Sequence, residues 1–279
     1  MAKPFYKPQK EKIVSEPKDS NGYGYVKDAL ISLFSRKYWK PTLEAFNKKL
    51  QKLIESGFDN KKALVTILDY LTEVLKKSEP EVMNLIKKSG KDVKQSRVAV
   101  AGNNFQALVA HTLLKNVEFG NLPRLQIVLK PKGHPLIERY GVIKIGNEEQ
   151  KPDMDVLIYQ DKPNTPIVIC SCKTSLRERA GQTYKWKLLL DLATADPKHL
   201  QSNPDCPINK YKIEYSSDRP IFVIMITADL YNEINQPQQK GTLAFFNKAF
   251  VTDRSNKKFH SHVEPMSQII FYLNSIYSD

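Results

Sequence analysis

The chain has few cysteines and no long apolar segment. Three cysteines occur among 279 residues, and two of them, Cys170 and Cys172, lie in one apolar stretch. An odd number of thiols in this setting indicates reduced cysteines rather than a disulfide framework. No segment approaches the ~20 apolar residues of a membrane-spanning helix, and residues 1–12 lack the apolar core of a signal peptide. We therefore expect a cytoplasmic protein that does not enter a membrane.

The composition supports a packed core and a basic surface. Hydrophobic residues make up 41% and aromatic residues 10% of the chain, which is ample for a folded domain. The formal net charge is +13, and most of it lies in the first 100 residues. Such a surface attracts polyanions, and nucleic acid is favoured over membrane because no basic amphipathic anchor or lipidation signal occurs. A lysine-rich surface that only maintains solubility is the alternative.

The first third of the chain is predicted to be helical. Residues 1–22 are polar and proline-rich and predict an extended arm. Helical periodicity follows from Tyr25 to about Lys88, with Pro41 and Pro80 at first-turn positions of two helices. Ser78 and Glu81 have the spacing of a capping box at the second of these helix starts. The polar segment 89–96 then predicts a boundary between an N-terminal arm and all-helical domain (1–95) and a second domain (96–279).

The second domain alternates predicted helices and strands. This alternation favours an α/β (α+β) fold with a mixed central sheet flanked by helices. A polar loop from Ala195 to Asp218 interrupts the pattern, and loops of this length are often functional. The predicted strands are RLQIVLK (124–130), VIKI (142–145), DVLIY (155–159), PIVICSC (166–172) and PIFVIMIT (220–227). The predicted helices are FQALVAHTLLK (105–115), Ser175 to about Ala193, and two closing helices near Leu243 and Met266.

Two of these strands carry acidic and basic residues that can meet. Side chains two apart on a strand share a face, so Asp153 and Asp155 point the same way, as do Ser171 and Lys173. Carboxylates suit a hard divalent ion, and a nearby lysine can orient or deprotonate water or stabilise phosphorane charge. The alternatives are carboxylates that cap a strand and a lysine that extends to solvent. The combination favours phosphodiester hydrolysis.

The segments KPDMDVLIY and PIVICSCKTSLRER resemble the PD-(D/E)XK nucleases, and among them the type II restriction endonucleases that read CCGG-containing sites, such as BsaWI-like or AgeI-like enzymes. The resemblance covers about residues 97–192. It implies a restriction-endonuclease-like core, Mg²⁺ as cofactor and hydrolysis of both strands of double-stranded DNA at a palindromic site with a CCGG core. The twofold symmetry of such a site implies a homodimer or a higher homo-oligomer. The host of such an enzyme is a prokaryote.

The resemblance assigns candidate catalytic residues and leaves the second acid open. Asp153 stands in the literal PD motif, whereas Asp155 directly precedes the apolar run VLIY, so either is the principal metal ligand. Ser171 replaces the second acid, as Ser or Cys does in the CCGG-reading group. A helix segment whose Phe is followed by Glu in related enzymes has Gln106 here, which either coordinates through its oxygen or orients water. The acids that remain open as a second carboxylate are Glu118, Glu178 and Asp191.

The residues after the lysine are candidates for base recognition. Ser175 and Glu178 have capping-box spacing, but Arg177 and Arg179 in a first helical turn oppose the helix dipole. Arginine can bind guanine O6 and N7, and glutamate can accept from cytosine N4. In the resembling enzymes, an Arg-acid-Arg element just after the catalytic lysine reads the CCGG core. We therefore predict that Arg177, Glu178 and Arg179 contact DNA bases.

Two other functions are compatible with these residues. One is a PD-(D/E)XK nuclease of DNA repair or recombination that reads DNA structure instead of sequence. The other is a non-catalytic DNA-binding protein on a decayed nuclease fold, which Ser171 and Gln106 make credible. Metal-dependent cleavage distinguishes the second from an enzyme, and a screen on branched and linear DNA distinguishes the first.

Overall fold

The structure is a computed structural model that describes residues 38–90, 92–176, 180–195, 206–253 and 262–277. The α-helices are α1 (Lys40–Glu55), α2 (Asn60–Thr66), α3 (Leu71–Lys87), α4 (Val93–Glu118), α5 (Pro135–Tyr140), α6 (Ala180–Thr194), α7 (Pro207–Tyr211), α8 (Pro237–Ala244) and α9 (Ile269–Tyr277). Short 3₁₀ helices cover Ile67–Tyr70 and Met266–Gln268. The strands are β1 (Gln126–Leu129), β2 (Ile143–Ile145), β3 (Glu148–Gln150), β4 (Val156–Tyr159), β5 (Ile167–Lys173), β6 (Ile213–Glu214), β7 (Ile221–Thr227), β8 (Lys248–Val251) and β9 (Val263–Pro265).

A six-stranded mixed sheet forms the centre of the molecule, in the order β1-β4-β5-β7-β8-β9. Strands β1, β4 and β5 pair antiparallel, whereas β5, β7, β8 and β9 pair parallel. Every residue of β1, β4 and β5 is buried, as expected for near-continuous apolar strands covered on both faces. The mixed α/β fold with helices around a central mixed sheet is therefore confirmed.

Strands β2, β3 and β6 form a separate antiparallel sheet in the order β3-β2-β6. The sequence did not predict β3, since its residues Glu148–Gln150 are all exposed and show no alternation. Strand β6 and helix α7 lie inside the segment that was expected to be a loop from Ala195 to Asp218. That expectation is wrong for residues 207–214, and residues 196–205 lie outside the described residues.

Helix α3 continues through Pro80, so the expectation of a helix start there is wrong. Ser78 does not cap a helix: its hydroxyl donates to the Leu75 carbonyl at 3.0 Å and shares a 3.1 Å hydrogen bond with Thr42. Proline removes one backbone hydrogen bond, but packing of the buried face outweighs that local cost. The buried apolar residues of this helix on either side of the proline are Leu71, Val74, Leu75, Val82 and Ile86. The start of α1, with Pro41 in its first turn, is as expected.

Helix α4 brings the N-terminal helices to the sheet. It begins at Val93, because the Asp92 side chain accepts a hydrogen bond from Gln95 N at 2.8 Å and caps the helix. Part of segment 89–96 is thus helical. The second half of α4 is buried, and the helix packs against β1 and β5. This contact places Gln106 beside the central sheet.

The helices before α4 also contact the sheet side of the molecule. The Thr72 hydroxyl donates to Ala228 O at 2.9 Å, and an Asp69 carboxylate oxygen accepts from Ser267 N at 2.7 Å. Buried apolar residues of α1 to α3 belong to the same hydrophobic cluster as those of the sheet. The division at residues 95 and 96 stays a prediction, and the arm at residues 1–22 lies outside the described residues. In the five described ranges, no helix is both long and apolar enough to cross a membrane.

Candidate active site

Two carboxylates and one ammonium group meet where β4 begins and β5 ends. Antiparallel pairing of Val156 with Cys170 brings the flanking residues of the two strands together. The Lys173 Nζ lies 2.8 Å from Asp153 Oδ2 and 3.1 Å from Asp155 Oδ2. The expected meeting of the aspartates with Lys173 is therefore observed. An ammonium group between two carboxylates can neutralise charge that develops on a bound phosphate.

Asp155 is held far more tightly than Asp153. Its Oδ2 accepts from Cys172 N at 2.7 Å, and its Oδ1 accepts from Gln106 Nε2 at 2.5 Å. The Asp155 backbone is also fixed in the sheet, through Asp155 N to Cys170 O at 2.9 Å. Its side chain is 10% exposed, whereas that of Asp153 is 38% exposed. The Asp155 carboxylate is therefore fixed in one orientation, and Asp153 is partly open to solvent.

Burial and charge act in opposite directions on this pair. Burial raises the pKa of Asp155, and the nearby Lys173 opposes that shift. Burial also lowers the pKa of Lys173, but the carboxylates of Asp155 and Asp153 outweigh burial, so its pKa lies above the ordinary value. Lys173 therefore stays protonated in this arrangement. A protonated lysine donates hydrogen bonds and does not act as a base.

Ser171 contacts helix α6 and not the carboxylates. Its side chain is fully buried and shares a 2.9 Å hydrogen bond with the Thr183 hydroxyl. Thr183 also donates to Asp153 O at 3.3 Å. Thr183 thus ties α6 to β5 and to the backbone of one candidate ligand. Sequence reasoning missed Thr183, because a single threonine in a helix gives no signal of a long-range contact.

The donor atoms fit a hard divalent cation that keeps several waters. Asp153, Asp155 and Gln106 present only oxygen as ligand atoms, which Mg²⁺ prefers. The Gln106 Oε1 is buried and has no hydrogen-bond partner within the described ranges, so a cation beside it would satisfy an otherwise unpaired acceptor. Groups of three or more His, Cys, Asp or Glu side chains are absent from the described part of the chain. The two carboxylates and the amide therefore fit an ion whose remaining ligands are water.

Two of the acids considered as a second carboxylate lie away from this site. Glu118 is 12 residues beyond Gln106 on α4, about 18 Å along the helix, and pairs with Lys115 at 2.6 Å. Asp191 forms an ion pair with Lys187 on α6, eight residues or about 12 Å beyond Thr183. Neither acid replaces Gln106 beside Asp155.

The predicted base-recognition residues Arg177, Glu178 and Arg179 lie outside the described residues. The connector on their N-terminal side, Thr174–Leu176, is described. Helix α6 begins at Ala180, so the expected helix start at Ser175 is wrong.

Glu233 explains the position of the connector. Its Oε2 accepts from Ser175 Oγ at 2.9 Å and from Leu176 N at 2.7 Å. Glu233 was not predicted from the sequence.

Comparison with known proteins identifies the enzyme class. Residues 134–272 match the family model described as BsaWI restriction endonuclease type 2, and this region contains Asp153, Asp155, Ser171 and Lys173. The search of curated proteins gave no match. One similar solved structure is a complex of the restriction endonuclease PspGI with substrate DNA, with 14% identity over 87% of this chain and 96% of that chain and a TM-score of 0.41. Another is a pre-specific complex of the restriction endonuclease BsaWI with DNA, with 12% identity over 86% and 92% of the two chains and a TM-score of 0.35. Through the family match, the chain is a type II restriction endonuclease and therefore a site-specific nuclease.

Proposed function

We propose that this endonuclease is a Mg²⁺-dependent PD-(D/E)XK enzyme that hydrolyses both strands of double-stranded DNA at a palindromic site with a CCGG core. The observation that carries the proposal is the position of Lys173 Nζ between Asp153 and Asp155, 2.8 and 3.1 Å from their carboxylates. Two carboxylates at adjacent strand ends can hold a metal ion for phosphodiester hydrolysis, and the lysine between them can donate to the attacking water or to a phosphate oxygen. The same proposal includes a prokaryotic cytoplasmic setting.

Asp155, Asp153 and the Gln106 amide oxygen would hold the ion. When bound, Mg²⁺ supplies a more acidic water and neutralises charge on the phosphate. Cys172 N and Gln106 fix the Asp155 carboxylate before substrate arrives, which avoids reorganisation during the reaction. Asp155 is accordingly the principal ligand, and Asp153 the adjustable one.

Lys173 acts as a donor in this proposal. Its raised pKa keeps it charged, so it can hold the attacking water or a nonbridging phosphate oxygen by a charge-assisted hydrogen bond. The carboxylates stabilise this charge at a site where an isolated buried ammonium would be costly. The same geometry does not favour a role for Lys173 as a proton acceptor.

Sequence recognition is assigned to Arg177, Glu178 and Arg179. The two arginines supply bidentate donors for guanine, and the glutamate supplies an acceptor for cytosine N4. They follow Lys173 by only four to six residues, so base recognition and cleavage position are covalently coupled with little slack. A palindromic site presents the same bases twice, once on each strand, and each subunit of a homodimer can contact one set.

The test is digestion of a fully sequenced plasmid with purified protein, in Mg²⁺ and in EDTA, followed by sequencing of the fragment ends. Discrete Mg²⁺-dependent ends at CCGG-containing sites support the proposal and define the flanking bases. Discrete ends at sites without CCGG contradict the assigned specificity. Cleavage that prefers branched DNA over linear DNA would support the structure-reading nuclease instead.

A further inference from the structure

Glu233 is a fully buried carboxylate that the proposed reaction does not use. It lies in the turn after β7, six residues beyond the end of that strand. Burial of a carboxylate costs several kcal/mol unless hydrogen bonds or charges compensate. A residue of this kind away from the metal ligands requires its own explanation.

The turn after β7 extends the backbone pairing of the sheet beyond the ends of its strands. Parallel pairing of β5 with β7 ends at Lys173 and Thr227. Ala228 N then donates to Lys173 O at 3.0 Å, and Leu230 N donates to Thr174 O at 3.2 Å. The turn therefore holds the catalytic lysine and the residue that follows it.

The Glu233 side chain holds the next two residues. Its Oε2 accepts the hydroxyl of Ser175 and the backbone N–H of Leu176. Each residue from Lys173 to Leu176 is thus bonded to residues 228–233. Leu176, only 1% exposed, is the last described residue before Arg177.

The turn itself has a defined shape. Asp229 Oδ1 accepts from Glu233 N at 2.6 Å and from Ile234 N at 3.1 Å. Gln236 N donates to Glu233 O at 2.9 Å. The Glu233 carboxylate is therefore presented from a fixed backbone, so the connector is bound to a rigid partner.

We propose that Glu233 is a positioning residue for sequence discrimination: it clamps the connector Thr174–Leu176, which joins the catalytic lysine to the proposed base-reading residues 177–179. This inference rests on the proposed function. Arginine and glutamate distinguish bases only when their hydrogen-bond geometry is fixed. A connector without regular secondary structure needs such an anchor, and a charged acceptor binds its donors more strongly than a neutral one.

Relative cleavage rates test the proposal with Glu233→Gln, which keeps the side-chain shape and removes the charge. The rates are measured at the wild-type site and at sites that differ from it by one base. The expected result is a fall of about 10-fold or more in the ratio of these rates, comparable to the loss of one base contact. Retention of the wild-type ratio by a folded Glu233→Gln protein would overturn the proposal.

Asp69→Asn is the matched control, because Asp69 is also a buried carboxylate that accepts a backbone N–H, from Ser267. It is expected to lower the melting temperature and to leave the rate ratio unchanged. An equal fall in the ratio for Asp69→Asn would show that any loss of stability relaxes discrimination, and would also overturn the proposal.

Ser175→Ala provides a second variant in case Glu233→Gln does not fold. It removes the Ser175 hydroxyl that donates to Glu233 and leaves the carboxylate in place. A smaller fall in the ratio is expected, and an unchanged ratio contradicts the clamp. The rate ratio is measured at whichever site the wild-type protein cleaves. A wrong CCGG assignment would appear in the wild-type digest and would not change this test of Glu233.

Discussion

The start of β4 and the segment just before it hold two aspartates in opposite situations. The Asp155 side chain is 10% exposed and accepts hydrogen bonds from a backbone N–H, an amide and an ammonium group. Asp153, two residues earlier, has a side chain that is 38% exposed and contacts Lys173. The difference separates a carboxylate that the fold fixes in advance from one that water and substrate can reach.

This asymmetry has an energetic basis. The donors around Asp155 compensate for removing its charge from water, and they also define one orientation. The desolvation cost of the Asp153 charge is small because solvent still reaches the side chain. A metal site built from one fixed and one accessible carboxylate can bind a cation without losing the room that a phosphate needs. Loss of each group should therefore have a different consequence.

The largest effect is expected from Lys173→Ala, which removes the cation shared by the two aspartates. Cleavage should fall by about 10²–10⁴-fold, the range for loss of a group that donates or transfers a proton in the reaction. The pKa of Asp155 should rise further, because the lysine no longer opposes the effect of burial. Cleavage rates under single-turnover conditions measure the loss.

Lys49→Ala is the matched control for this variant. Lys49 also pairs with a carboxylate, that of Glu73 at 2.7 Å, but on the N-terminal helices. Its cleavage rate should stay close to that of the wild type. Specific DNA binding should persist in Lys173→Ala, and wild-type cleavage by this variant would disprove the proposed mechanism.

The next comparison is Asp155→Asn against Asp153→Asn. Among the described residues, the groups that bond to the Asp155 carboxylate all donate to it, so an asparagine NH₂ replaces an acceptor that at least one of them uses. We expect destabilisation of about 1–3 kcal/mol for an unsatisfied buried group, in addition to loss of cleavage. At Asp153 the NH₂ can turn to water, so cleavage falls with little change in stability.

Thermal unfolding and cleavage rates of these two variants decide the comparison. Cleavage by Asp155→Asn should be at least about 10-fold slower than by Asp153→Asn, a difference typical of altered metal-ligand support. Equal stability of the two variants would contradict the preorganisation of Asp155. A greater loss of cleavage in Asp153→Asn would make Asp153 the principal ligand.

A smaller effect is expected at Gln106, which tests the amide as a metal ligand. Gln106→Ala should raise the Mg²⁺ concentration needed for half-maximal cleavage by about 10–100-fold, because Asp155 loses its orienting donor and the site loses an oxygen. Gln106→Glu should lower that concentration, because it adds a charged oxygen ligand. Gln51→Ala, at a partly exposed glutamine bonded to Glu55 on α1, is the control.

The pairing of Lys173 with the aspartates was predictable from sequence because local rules determine it. Alternation along a strand decides which side chains share a face, and a short connection makes β4 and β5 antiparallel neighbours. The same rules identified β1, β5 and β7 from their apolar runs. They failed at Pro80, where packing of one helical face outweighed the local preference for a helix start.

Long-range side-chain contacts were not predictable in the same way. Glu233 lies 57 residues from Leu176, and Gln106 lies 49 residues from Asp155. Neither separation follows a helical or strand period. Gln106 was singled out through family resemblance, and Glu233 had no signal, since a lone acid outside a predicted helix or strand is most often at the surface.

The smallest effect is expected at Thr183, which contacts the exposed member of the aspartate pair only through its backbone. Thr183→Val keeps the shape but removes the hydrogen bond to Ser171 and the weaker one to Asp153 O. Loss of one buried hydrogen bond should cost about 1 kcal/mol of stability and slow cleavage by a few-fold. Thr194→Val on the same helix removes a hydroxyl whose hydrogen bonds to described residues lie within α6, and should leave cleavage unchanged. Because Asp155 is fixed independently of Thr183, a loss of cleavage as large as that of Asp155→Asn would show that the two aspartates are positioned together and not separately.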